Sequence, residues 1–349
     1  MGMVPLHTRT ISLRLRSSGP GEILAEGRLL DIRKRAIVPL GASLRGPGVV
    51  HDMSTRVWID VASRTVSRVD PGMTAFPYVA SDHTGGEACN GRIDAVQAVA
   101  GSRLDESYGE VINSLIGGPR GCFHIFTLLR LIGPAVVAAL ADAGLRARLA
   151  GGTRAADGEI LWARCVTVDA FKGEGLTLYL HGTLTDTFQR GGPPELGNGS
   201  EELIDGVEVM ADLTTGFPDM MVAQIDGRIR RLLAGFGRSE SWRPLEKLQC
   251  LQGVGVFKGF SLRVQETLGD GDGTRPESHL VFMMAPVVMQ SMPGMLEELR
   301  VQPGTGGGSG TGTALNSCHM WRSDGPLDRI TSAAALEQHS GASVGRERK

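Results

Sequence analysis

The feature that most constrains this chain is a residue pattern that returns after 155 positions. Leu6-His7-Thr8-Arg9-Thr10-Ile11 comes back as Leu161-Trp162-Ala163-Arg164-Cys165-Val166, and Gly27-Arg28-Leu29-Leu30-Asp31 as Gly182-Thr183-Leu184-Thr185-Asp186. Arg35, Arg120 and His124 are answered by Arg190, Arg275 and His279 at the same spacing. Histidine gives the match weight, because the 349 residues hold only 8 of them. A period this long implies two whole domains rather than a solenoid of small repeats. The expected division is a first repeat over 1–152, a second, degenerate repeat over 153–302, and a flexible tail over 303–349.

Each repeat opens on strands and closes on helices. Ile11, Leu13 and Leu15 alternate with Ser12, Arg14 and Arg16, the signature of a half-buried strand, and Pro20-Gly21 turns it into a second strand over 23–32. A second hairpin follows over 49–69. Helical periodicity takes over after Gly91, resumes over 108–115 and again over 123–140, with Gly117-Gly118-Pro119 separating the last two segments. The order repeats after a linker at 151–158. The predicted class is α+β, a tandem duplication of an antiparallel sheet domain with helices packed on one face. Residues 304–312 are all Gly, Ser or Thr, which predicts a flexible linker and a mostly disordered tail.

Composition narrows the function classes. The 41% of hydrophobic residues suffices for two cores. A formal net charge of -2 provides no nucleic-acid footprint, and the basic runs at 14–16, 33–35 and 228–231 read as solvated faces. The 5 cysteines are odd in number and form no Cys-x-x-Cys pair, unlike a disulfide scaffold. No signal core and no run of 18 apolar residues is seen. The expectation is a cytoplasmic, soluble protein with a small-molecule substrate, no nucleic-acid or membrane partner, and self-association admitted.

Three places in the first repeat gather reactive groups: His51-Asp52 at a strand entry, Gly121-Cys122-Phe123-His124 at a helix start, and Cys89. A thiolate at a helix N-terminus gains from the dipole, and His124 follows two residues later. His51, Asp52, Cys122 and His124 therefore form the predicted catalytic set. They supply either a thiol with its base or, if a divalent metal is bound, its ligands. Arg9, Asp31 and Arg120 are the predicted substrate-binding residues. The structural alternatives are plain: a buried Cys is usually core, paired charges are usually structural, and the return of His124 as His279 fits fold maintenance. Asp52 is matched with Asp205, His51 with Ile204 and Cys122 with Glu277. A His and a Cys lost together from one copy is what a retired site would look like, with neutral drift as the alternative. Cys318-His319 lies in the tail and is assigned no role.

The run His7-Thr8-Arg9, the Gly-x-Leu-x-Asp strand, His51-Asp52-Met53, Ala75-x-Pro77-Tyr78 and Arg120-Gly121-Cys122-x-His124 resemble the bacterial domain-of-unknown-function family 2889. The resemblance covers nearly all of the first repeat. The second keeps only the strand pattern and Arg275-x-x-x-His279. Ser54 stands where an aromatic residue often follows the His-Asp-Met run, and Pro134 lies ten residues after His124 where Pro286 lies seven after His279. The resemblance implies a setting in the breakdown of aromatic or other plant-derived acids. At the level of layout, the first repeat is also similar to iron–sulfur scaffold proteins of the NifU type, with Asp52 and Cys122 near the ligand positions and His51 near that of the first cysteine. The remaining cysteine ligands are unmatched, so no cluster is expected.

No Rossmann glycine fingerprint, Walker loop or Gly-x-Ser-x-Gly elbow occurs in a suitable context, so no nucleotide cofactor is predicted. The favoured expectation is a catabolic enzyme, a lyase, isomerase or hydrolase, using acid–base or thiol-assisted chemistry on an aromatic or other carbonyl-containing acid. The alternatives are a non-catalytic ligand-binding or accessory module and a metal-binding protein.

Overall fold

The computed structural model describes residues 2–35, 46–82, 84–141, 160–190, 203–233, 238–257, 259–269, 275–300 and 315–330. Four strands come first: β1 (Val4–Ser17), β2 (Glu22–Arg33), β3 (Gly48–Asp60) and β4 (Thr65–Ala75). A short 3-10 helix at Ile93–Val99 leads to α1 (Tyr108–Ile116) and α2 (Phe123–Ala141). The order then recurs as β5 (Ile160–Lys172), β6 (Thr177–Arg190), β7 (Leu203–Gly216), β8 (Met221–Leu232) and the two-residue β9 (Arg243–Pro244), followed by α3 (Phe260–Leu268) and α4 (Pro276–Arg300). The protein is α+β. Its described strands form one antiparallel sheet in the order β4-β3-β2-β1-β5-β6-β7-β8-β9. Thus the halves share a sheet, joined where β1 pairs with β5.

The alternation read in the sequence decides which face is buried. On β2, Ile23, Ala25, Gly27, Leu29, Asp31 and Arg33 turn to one face and are buried, while Arg28 between them is exposed. The β1–β2 turn works because Gly19 and Gly21 take φ of 110° and 72°, which L side chains rarely adopt. The core lies between the buried face and the helices. There α2 crosses β2 and β3, and α4 crosses β5, β6 and β7. The recurrent glycine of the second strand has a packing cause. A Cβ on Gly27 would stand 3.3 Å from Leu128 and Ile132 of α2, and one on Gly182 would stand 2.9 Å from Leu280 of α4. In each half a helix therefore sits directly over that strand.

By length and composition α2 is apolar enough to cross a membrane, yet most of it is packed inside the protein. Arg130 on α2 lies over the Phe282 ring of α4 at 4.6 Å, linking the helices of the two halves.

The tail differs from expectation. The Gly-rich run at 304–312 and the linker at 151–158 lie outside the described residues, but the segment 315–330 docks on the first half. Met320 and Leu327 are buried, and the Arg322 guanidinium donates to both carboxylate oxygens of Glu87 at 2.8 and 2.6 Å. His319, also buried, approaches the Ala88 carbonyl oxygen through Nε2 at 2.8 Å, and its amide donates to the Gly121 carbonyl at 3.0 Å. Composition misled because the glycine run dominates this region. The segment beyond it carries enough apolar surface to bind.

Candidate functional site

Three neighbouring strands each bring one side chain to the same buried row. Arg9 on β1 pairs across to Asp31 on β2, and Asp31 pairs across to His51 on β3. All three lie on the face toward α2, and His7, two residues before Arg9, lies on that face as well. His124, in the first turn of α2, closes the cluster from above. Its ring stacks on His51 with centroids 3.9 Å apart, and its Nε2 is 3.6 Å from Asp31 Oδ2.

Asp31 is the hub. Arg9 donates from Nε to Oδ1 and from Nη2 to Oδ2, both at 2.7 Å. His7 Nε2 lies 3.0 Å from Oδ1 and His51 Nδ1 lies 2.9 Å from Oδ2. An ionised carboxylate only accepts, so both facing ring nitrogens carry a proton and donate. Burial alone would raise the Asp31 pKa. The Arg9 charge and the hydrogen bonds from Arg9, His51 and His7 outweigh it and hold the carboxyl well below the usual range. Burial lowers the pKa of His7 and of His51, partly offset by Asp31. It lowers that of His124 further, assisted by the repulsion that a second proton on His51 would add and by the Arg9 charge. The cluster is therefore one Arg–Asp ion pair surrounded by neutral imidazoles.

His51 donates through Nδ1, which leaves the lone pair of Nε2 for chemistry. This nitrogen makes no hydrogen bond within the described residues. Three further atoms, His7 Nδ1, Arg9 Nη1 and His124 Nε2, are buried without a hydrogen-bond partner. An unpaired polar atom in the interior costs about 1–3 kcal/mol. Three in one place make this cluster the candidate site.

Asp31, His51 and His124 each offer a ligand atom within 4.8 Å of the others. Geometry still argues against Asp31 as a direct metal ligand, since its four lone-pair positions already accept four hydrogen bonds.

The predicted site residues divide. His51 and His124 converge with Arg9 and Asp31, and Cys122 adjoins them with Sγ 3.9 Å from His124 Nδ1. Asp52 does not belong. The strand period of two turns it to the opposite face, where Arg28 holds it bidentately at 2.8 and 2.9 Å. Arg120 also lies outside the cluster; it is exposed and donates to the Asn113 carbonyl at 2.7 Å. Cys122 is buried, and burial pushes its thiol up to about 11 against the amide hydrogen bonds of Ile125 and His124. Burial likewise pushes the Cys89 thiol up to about 12, against an amide hydrogen bond from Tyr78, with the neighbouring Cys122 and Cys318 adding to the shift. Such thiols are protonated at neutral pH and poor nucleophiles. His7 was missed, although its spacing of two from Arg9 on a strand placed both on one face.

The second half keeps part of this arrangement. Arg164 donates to both oxygens of Asp186 at 2.7 Å, and its Nη1 contacts His279 Nδ1. The residue two before Arg164 is Trp162, and the residue opposite Asp186 on the next strand is Val207. The match of His51 with Ile204 is therefore corrected, because Ile204 pairs with Gln189. Arg, Asp and a helix His occur in both halves, whereas the two imidazoles that donate to the carboxylate occur only in the first.

A family model described as "Protein of unknown function (DUF2889)" matches residues 7–138, the segment that holds His7, Arg9, Asp31, His51, Cys122 and His124. No curated protein matches the chain, and no solved structure does.

Proposed function

We propose that the first half, the part matched by that family of unknown function, is a small-molecule enzyme in which His51 acts as general acid and base. The observation that carries this reading is the 2.9 Å contact from His51 Nδ1 to an Asp31 carboxylate that Arg9 keeps ionised. A carboxylate on Nδ1 fixes the tautomer, turns Nε2 away from that carboxylate and stabilises the imidazolium formed when Nε2 takes a proton. His51 then returns that proton to product. Burial keeps the resting imidazole neutral, as a base must be.

The substrate class follows from the remaining donor. Arg9 Nη1 is buried and unpartnered, whereas its analogue on Arg164 is occupied by His279. A guanidinium N–H beside a base suits an oxygen of a carbonyl or carboxylate. We assign the activity to an aromatic or other carbonyl-containing acid, with a lyase or isomerase type of proton transfer. The protonated state of Cys122 favours acid–base over thiol-assisted catalysis. In this reading the chain is a tandem duplication acting in the cytoplasm. Its second half is a degenerate partner that lends its strands and α4 to the shared sheet and core.

The test is turnover of a panel of aromatic and acyl acids by the native protein and by His51→Gln. Loss of a general base costs about 10²–10⁴-fold in rate. If no member of the panel turns over while one of them raises the melting temperature, the protein is a ligand-binding module and the enzyme reading fails.

A further inference from the structure

Three of the five cysteines meet beside the cluster, and they come from three distant parts of the chain. Cys89 lies between β4 and the first 3-10 helix, Cys122 immediately precedes α2, and Cys318 lies on the docked C-terminal segment. His319 brings them together. Its Nε2 reaches the carbonyl of Ala88, the residue before Cys89, and its amide donates to the carbonyl of Gly121, the residue before Cys122. Standard backbone dimensions then place the Cα atoms of Cys122 and Cys318 within roughly 8 Å. Cys165 and Cys250 are exposed and lie elsewhere.

Burial raises the pKa of each of the three thiols, and nearby backbone amides act against that rise: Ile125 and His124 for Cys122, Trp321 and Met320 for Cys318, and Tyr78 for Cys89. Amides so placed favour the thiolate, the form that a metal binds. A nitrogen ligand stands beside them. His124 Nδ1 is 3.9 Å from Cys122 Sγ, and a tetrahedral ion with ordinary Zn–N and Zn–S bonds would hold these atoms about 3.6 Å apart. The other nitrogen of the same ring, buried and without a hydrogen-bond partner, is 3.6 Å from Asp31 Oδ2. Carboxylate, imidazole and sulfur therefore follow one another in the order of a carboxylate–histidine–metal triad, with the imidazole still 3.6 Å from the carboxylate and not hydrogen-bonded to it.

We propose that Cys89, Cys122, Cys318 and His124 form a four-ligand site for a thiophilic divalent cation such as zinc, completed when the C-terminal segment docks. Among the described residues the trio of Asp31, His51 and His124 is what brings three ligand atoms within 4.8 Å, so the proposed site requires the sulfurs to move inward when the ion binds. The balance is simple: one M²⁺ displaces three thiol protons to solvent and forms three M–S bonds and one M–N bond, with no change of oxidation state. The resulting single negative charge sits at the N-terminus of the 19-residue α2, where the helix dipole favours it. The site explains why a segment beyond a glycine-rich run returns to this place. It is independent of the acid–base reading, since His51 is no ligand in it.

The test uses the full chain, stripped with chelator under reducing conditions and titrated with Co²⁺ followed by Zn²⁺. We expect one equivalent of Co²⁺ with intense thiolate-to-metal absorption and tetrahedral visible bands, displaced by Zn²⁺. Cys318→Ser should weaken binding at least 100-fold and dim the thiolate band, and Asp31→Asn should weaken it about 10–100-fold. Cys165→Ser and Cys250→Ser should bind as the native chain does, and His51→Gln should keep the spectrum while losing any activity. Cys318 lies on the docked C-terminal segment, outside the sheet and its covering helices, so its replacement can be read even if Cys122→Ser fails to fold. Absence of stoichiometric binding would overturn the proposal. So would binding without thiolate absorption, which places the ion on Asp31, His51 and His124, or an unchanged affinity in Cys318→Ser.

Discussion

His51 Nδ1 stands 2.9 Å from Asp31 Oδ2, whereas the residue opposite the corresponding Asp186 is Val207. Together with His7 in place of Trp162, that difference separates a buried ion pair with one imidazole beside it from one whose carboxylate also accepts from two imidazoles, and in the proposed function the second of these is the base. It also divides the effects expected of substitutions in the two halves.

The Arg9–Asp31 pair should show the asymmetry of buried charges. Arg9→Met leaves the Asp31 carboxylate in the interior with only imidazoles to satisfy it, at a cost of about 3–5 kcal/mol by denaturant unfolding. Arg9→Met combined with Asp31→Leu should cost less than Arg9→Met alone, because no charge is then left unpaired. A double variant less stable than the single one would show that the carboxylate is stable without its partner.

In the second half, His279→Ala should cost about 1–3 kcal/mol, since it removes the partner of Arg164 Nη1. It should leave turnover by the first half within about twofold of native at matched folded fraction. A selective loss of turnover would place His279 in the catalytic machinery.

Stability should fall as pH is lowered from about 7.5 to 5. His7, His51 and His124 have folded pKa values below the ordinary 6.5. Below that value the unfolded chain binds protons that the folded chain refuses, and each such histidine lowers stability by up to about 1.4 kcal/mol per pH unit. Asp31, whose folded pKa is depressed, acts in the same direction at lower pH, as its stabilisation is lost once acid protonates it. Unfolding midpoints in chelator between pH 5 and 8 check this. A flat profile would mean that the cluster is solvated.

Truncation after Pro303 should destabilise the protein. Removing buried Met320 and Leu327 forfeits on the order of 3 kcal/mol of burial, and Cys122 should become reactive to an aromatic disulfide reagent. An unchanged melting temperature with an unreactive Cys122 would show that the segment does not dock.

Much of the strand layout was legible because its cause is local. Alternation marks β1 and β2 outright, and glycine recurs at 27 and 182 because a helix must cross there. Constant spacing found Arg9 with Arg164 and His124 with His279. The match of His51 with Ile204 left that spacing and failed, because a register shift follows the Asp31–His51 pair and the loops joining the second and third strands differ in length between the halves. Asp52 was drawn in by adjacency to His51, when the strand period turns neighbours to opposite faces. The meeting of Cys89, Cys122 and Cys318 depends on a return of the chain across nearly 200 residues, which no local pattern encodes.

The most direct measurement is the ¹⁵N spectrum of the His51 imidazole in the native protein near pH 7.5, assigned by comparison with His51→Gln. A neutral ring protonated on Nδ1, with Nε2 carrying the lone pair, is the state that an ionised Asp31 imposes and acid–base chemistry requires. A neutral ring protonated on Nε2, or an imidazolium persisting at this pH, would contradict the account.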